Sequence, residues 1–200
     1  MSDLKIRVIL GSTREGRYGD KPAHWILGKL AGRDGVDAQL LDLRDYSLPI
    51  FDRPRPPVRV TDGDYGHPIA QAWARQIADA DGYVMTAAEY NHGYAAVLKN
   101  SLDWIYREWN RKPISFVGYG SVGGARAVEQ LRQVAVELEL APLRHAVHLP
   151  REILLATMKL VAPIDPAAFA SVDAAADAMI DDLLWWARAL RRARDEPVGV

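Results

Sequence analysis

Five short apolar runs, each followed by a stretch of helical period, constrain this 200-residue chain more than any other feature. The runs are Lys5–Leu10, Ala38–Leu43, Tyr83–Thr86, Ile114–Tyr119 and Leu143–Leu149, bounded by Gly, Asp and Pro as strands are. Between and after them the apolar residues recur every three or four positions. They fall at Ala23, Ile26, Leu27 and Leu30; at Ile69, Trp73, Ile77 and Ala80; and at Leu98, Leu102, Ile105 and Trp109. A fourth set is Val128, Leu131, Val134 and Leu138, and a fifth is Met179, Leu183, Trp186 and Leu190. Strands alternating with helices require right-handed crossovers and a mostly parallel sheet with helices on both faces.

Five such strands in one chain of this size suit a flavodoxin-like α/β three-layer sandwich with strand order 2-1-3-4-5. Residues 1–200 are expected to form a single domain. The Pro-rich stretch Leu48–Pro57 reads as a surface loop after the second strand. A net charge of −1 gives no footprint for nucleic acid or an anionic membrane, and no apolar run approaches the length of a membrane span. No secretory leader is visible, and the reading is a cytoplasmic protein. With no cysteine, thiol catalysis and Cys-ligated metal are excluded, so redox chemistry must come from a bound cofactor.

The loop Gly11–Gly19 follows the first strand and opens a helix that Asp20 is placed to cap. A helix N-terminus offers free amides and partial positive charge. The hydroxyls of Ser12 and Thr13 and the guanidinium groups of Arg14 and Arg17 turn the loop into a candidate cradle for a phosphate monoester. It lacks the Gly-Lys-Ser/Thr of a nucleotide triphosphate loop, and an ordinary turn with solvated arginines is the competing reading. Gly118–Gly123 matches G-x-G-x-x-G, but it follows the fourth strand, and Glu137 lies within the next helix. It is better read as the glycine-rich rim of a ring pocket than as a dinucleotide site. The segment Ala88–Trp104 lies past the third strand, where ligands bind in open α/β sheets.

Taken together, GSTREGR at Gly11–Arg17, EYN at Glu89–Asn91, LKNSLDW at Leu98–Trp104 and YGSVGGARA at Tyr119–Ala127 resemble the NADPH-dependent FMN reductase family. That group has quinone, azo and chromate reductases among its relatives. The resemblance implies FMN as cofactor and NAD(P)H as co-substrate, with a quinone-like or other small molecule as acceptor. It implies that Ser12, Arg14, Arg17, Tyr18 and Gly19 hold the phosphate and ribityl chain. Glu89, Tyr90, Asn91 and His92 would pack against the isoalloxazine, with Gly120 and Ser121 on the opposite rim. Ala88 replaces the family's Pro, Gly93–Ala96 its Ser-x-Pro-Gly, and Gly19 a frequent Asn or Ser, which leaves the phosphate more dependent on Arg14 and Arg17.

No side chain is nominated as catalytic, since flavin chemistry needs no protein nucleophile and Ser101 and Ser121 lack an elbow context. No metal site is expected from the five scattered histidines. Arg53, Arg55 and Arg107 are candidates for a 2′-phosphate. Aromatic surface on Leu98–Trp109 and at Trp185–Trp186, together with the resemblance, points to a homodimer or homotetramer. The competing functional readings are an electron-carrier flavodoxin, a flavin-free scaffold and a nicotinamide dehydrogenase.

Overall fold

The structure, a computed structural model, describes residues 3–196. Four strands form the parallel centre: β1 (Leu4–Leu10), β2 (Val36–Asp42), β3 (Gly82–Tyr90) and β5 (Pro113–Tyr119). They lie in the order β2-β1-β3-β5, with Leu4 opposite Val36, Ile6 opposite Gly82 and Tyr83 opposite Ile114. The fifth position is held by two short strands on the far side of β5. These are β6 (Ala141–Pro142) and β7 (Val147–His148). The doubly wound order expected from the sequence is therefore present, but its last strand is broken. Pro142 has no N–H to offer a ladder. The intervening carbonyls turn to side chains: Ser115 Oγ donates to His145, and Arg132 Nη2 donates to Leu143 and Arg144.

The helices are α1 (Asp20–Ala31), α2 (Pro68–Asp79), α3 (Ala96–Asp103), α4 (Ala125–Glu137), α5 (Arg151–Thr157) and α6 (Asp173–Asp195). Alternation along β1 assigns them to two layers. Leu4, Ile6, Val8 and Leu10 face α1 and α6, while Ile9 faces the layer of α2, α3 and α4. Both faces are covered, so the central strands are buried nearly throughout, as parallel strands must be. Lys5 is the half-buried exception in β1, and Arg7 is charged yet buried. Its buried guanidinium is paired with Asp37 and Asp79.

Two expectations are corrected here. α3 does not continue to Trp109; it ends at Asp103, and Trp104, Ile105 and Trp109 are fully buried in turns behind it. The Trp109 ring meets Trp73 and Tyr83 edge to face, so the two tryptophans of Leu98–Trp109 offer no spare surface for a partner, while Tyr106 is half-buried. Trp185 and Trp186 on α6 do remain exposed. Asp20 is not the cap of α1 either. The cap is Gly19, without a side-chain hydrogen bond, and Asp20 is the first helical residue. The segment after β2 is a loop, as the prolines imply, with one 3-10 turn at Pro57–Arg59.

Candidate functional site

Three loops meet at the C-terminal edge of the sheet, after β1, β3 and β5. The first is held from behind by charge. Asp42, the last residue of β2, accepts from Arg17 Nη1 at 2.6 Å and also pairs with Nη2. Arg17 Nη1 further donates to the Ser12 carbonyl at 2.8 Å, and Nε to Asp20 at 2.9 Å. Burial alone would make Arg17 a weaker base, but the two carboxylates outweigh it and raise the group above its ordinary value. Burial would likewise raise the Asp42 carboxyl, yet Arg17 and Arg44 hold it below its usual range. Arg44 completes the clamp by donating to the carbonyls of Thr13 and Arg14. The guanidinium of Arg17 is thus consumed in building the loop. Among the described residues Arg14 has no carboxylate partner; it lies over the Tyr90 ring, 5.9 Å from its centroid.

The amides of residues 13–16, 18 and 19 find no protein acceptor among the described residues, and they precede the N-terminus of α1. Free amides, a helix N-terminus and an unpaired guanidinium are the donor set that a phosphate monoester requires. Gly19 has a steric reason to be glycine. A Cβ there would stand 2.6 Å from the Tyr119 hydroxyl and 2.9 Å from Leu10 Cδ1. That tyrosine hydroxyl is enclosed beside Ser12, and burial pushes its pKa well above the ordinary phenol value.

β3 runs on to Tyr90 and turns back into β4 (Gly93–Tyr94), a hairpin the sequence did not announce. Its two turn residues, Asn91 and His92, both have positive φ, +50° and +70°, as a tight hairpin turn demands. α4 holds this hairpin. Arg126 Nη1 donates to His92 Nε2 at 2.8 Å, and Gln130 Nε2 donates to the His92 carbonyl at 3.0 Å. Arg126 also grips Glu89: its Nε donates to Oε1 at 2.6 Å and its backbone N–H to Oε2 at 3.2 Å. The Glu89 side chain is only 3% exposed. Gly120, at φ +153°, lets β3 approach, since a Cβ there would sit 3.0 Å from Glu89 Cβ.

Between these loops lies a cavity of about 240 Å³. Arg14, Arg17, Tyr18, Glu89, Tyr90 and Gly120 line it, so six of the sequence-derived candidates converge. Ser12, Gly19, Asn91, His92 and Ser121 do not line it. Ser12 is buried beneath, 3.4 Å from the Tyr90 hydroxyl, and Ser121 faces outward. Five further lining residues are not among the site candidates of the sequence: Gly16, Ala88, Tyr119, Leu154 and Met158. Tyr119 stood within a quoted motif. Leu154 and Met158 carry no signal of their own and arrive only because α5 folds over the first loop. Tyr18, whose phenol is pushed up by burial, is tied to that helix through Thr157 Oγ1 at 2.8 Å.

LKNSLDW plays a supporting part. Asn100 Oδ1 accepts from the Phe51 amide, and Asn100 Nδ2 and Trp104 Nε1 donate to the Pro49 carbonyl at 2.8 and 2.7 Å. The motif staples the loop after β2 to α3. On that loop Arg55 is paired with Asp62, whereas Arg53 lies over the Trp104 ring. Among the described residues no cluster of potential metal ligands occurs, and no helix is long and apolar enough to cross a membrane.

A doubly wound parallel sheet with free amides after its first strand and a tyrosine-walled cavity beside them is a flavodoxin-like architecture. The chain belongs to the NADPH-dependent FMN reductase family, whose pattern matches residues 4–152. It is 40% identical over 151 residues to an NAD(P)H-dependent FMN reductase of Schizosaccharomyces pombe, covering 74% of each chain. It is 35% identical over 145 residues to a 2-hydroxy-1,4-benzoquinone reductase of a Burkholderia species, covering 68% of this chain and 73% of that one. The fold is shared with the flavoenzyme NAD(P)H:acceptor oxidoreductase of Paracoccus denitrificans. That likeness has a TM-score of 0.65 at 21% identity, over 93% of this chain and 98% of the other. The chain is accordingly an NAD(P)H-dependent oxidoreductase that uses FMN.

Proposed function

We propose that the cavity between the β1, β3 and β5 loops is the FMN site, and that this chain passes reducing equivalents from NAD(P)H to a small quinone-type acceptor. The observation that carries the placement is the first loop, where unpaired amides and Arg14 stand free at the start of α1 while Arg17 is spent on Asp20 and Asp42. In this reading those amides and Arg14 bind the phosphate. Arg17 contributes by fixing the loop, a change from the direct contact that the sequence suggested. Tyr18, Glu89, Tyr90 and Gly120 wall the flavin, and Ser12, Gly19, Asn91, His92 and Ser121 act from outside the cavity.

Bound FMN supplies the hydride and electron chemistry, so the chain's task is binding, orientation and a suitable electrostatic wall. Arg126 neutralises Glu89 there, and Tyr90 stays partly exposed at the mouth. At about 240 Å³ the cavity is smaller than a typical cofactor site of roughly 300–1,000 Å³. The phosphate end fits inside, and the ring reaches the mouth. Met158 lines the cavity and is exposed, as are Leu155, Leu160 and Val161 near it in the chain, which supports assembly as a homodimer or homotetramer. A cytoplasmic location belongs to the same reading.

Purified protein reconstituted with FMN, mixed rapidly with NADPH under anaerobic conditions, provides the test. Bleaching of the flavin absorbance and its return on adding a benzoquinone are expected. Failure to bind FMN would remove the site assignment, bound flavin that stays oxidised would favour a simple electron carrier, and a flavin-loaded monomer in sedimentation would remove the assembly.

A further inference from the structure

Two strand–glycine loop–helix units open on the same cavity. Arg14, Gly16, Arg17 and Tyr18 line it from the first and Tyr119 and Gly120 from the second. Each loop leads into a helix N-terminus, and each such end attracts an anion. At α4 the anion is already present. Glu89 places Oε2 on the Arg126 amide, in the first turn of α4, and Oε1 on the Arg126 guanidinium, with the carboxylate almost wholly enclosed. Gly120 makes room for the approach, and the same arginine bonds His92 across the hairpin.

We propose that Arg126 is a positioning residue that keeps Glu89 seated on α4 as an internal, neutralised anion, so that a mononucleotide phosphate is confined to the first loop. This rests on the assignment of the cavity to FMN. A carboxylate in the wall of a cavity built for a dianionic ligand repels that ligand unless its own charge is balanced, and the repulsion acts on the phosphate more than on the neutral ring. Arg126 supplies the balance from α4. The other ionisable groups on the cavity are Arg14, Arg17, Tyr18, Tyr90 and Tyr119; of these Arg17 is committed to Asp20 and Asp42.

The test is the binding of FMN and of riboflavin, which lacks the phosphate, followed by quenching of flavin fluorescence. The proteins are wild type, Arg126→Met, Arg126→Lys and the double variant Glu89→Gln/Arg126→Met, each with its melting temperature. Arg126→Met is expected to weaken FMN about tenfold more than riboflavin, an effect of one uncompensated charge near a dianion. Arg126→Lys should fall between, and the double variant should return to within about threefold of wild type, because glutamine leaves no charge to balance. A purely structural role would weaken both flavins alike and would not be rescued. Equal losses, or a double variant no tighter than Arg126→Met, overturn the proposal. Should Arg126→Met not fold, Arg126→Lys against the double variant makes the same comparison. Wild-type protein that binds neither flavin defeats the FMN assignment itself, which is a separate outcome.

Discussion

The loops after β1 and β5 are built from similar local parts and end up with opposite tasks. Both leave a buried parallel strand, both contain glycines, and both run into a helix N-terminus. The β5 loop even matches a dinucleotide pattern more closely. Yet its helix end is occupied by Glu89, while among the described residues the amides of residues 13–16, 18 and 19 in the β1 loop have no protein acceptor and its cation Arg14 lacks a carboxylate. The difference lies in what other elements deliver to each loop. β3 brings a carboxylate to α4, and β2 brings Asp42 to the rear of the first loop, where it ties up Arg17. A glycine-rich turn before a helix therefore marks an anion site only when no carboxylate of the protein already fills it.

The sharpest way to break this contrast is to dismantle the first loop from behind. Arg17→Ala leaves Asp42 and Asp20 facing each other without their cation, and the loss should be about 3 kcal/mol of unfolding free energy in urea, near the low end for a broken buried ion pair. A loss below about 0.5 kcal/mol would mean that the loop is not held by this pair. Arg14→Ala separates binding from building. It should weaken FMN by about 2 kcal/mol, the worth of a charge-assisted contact, while the apo-protein's stability stays unchanged. Titration of both arginine variants with FMN, beside urea melts, checks the division; unchanged FMN affinity in Arg14→Ala would move the phosphate elsewhere. The smallest effect is sought at Gly19→Ser, whose Cβ meets Tyr119 Oη at 2.6 Å. It should cost about 1 kcal/mol by overpacking, and Tyr119→Phe in the same chain should recover part of that. A serine variant as stable as wild type would show that Tyr119 moves aside freely.

Much of the fold is legible in the sequence alone. Short apolar runs and a period near 3.6 between them give the alternating elements, because burial is a local demand on the chain. The broken fifth strand was not legible, since Leu143–Leu149 is as apolar as a strand, and only the hydrogen bonds of Ser115 and Arg132 show where its carbonyls go. Neither was the end of α3. Ile105 and Trp109 keep helical spacing after Leu98 and Leu102, but they are buried in turns, where Trp109 packs on Trp73 and Tyr83. Within the site, Glu89, Tyr90 and the arginines could be nominated by residue type, whereas Leu154 and Met158 come from a helix with no chemical mark.

What the sequence determined by itself is the order of elements, the loops that carry ligand chemistry and the family resemblance, all of which rest on residues near one another in the chain. Which of two like-charged arginines is free, and which of two similar loops is open, was decided only by the fold. Pairing depends on carboxylates about 25 to 37 residues away, Asp42 for Arg17 and Glu89 for Arg126. Charges act through space at a few ångströms, and only the sheet's parallel crossovers bring those side chains within that range.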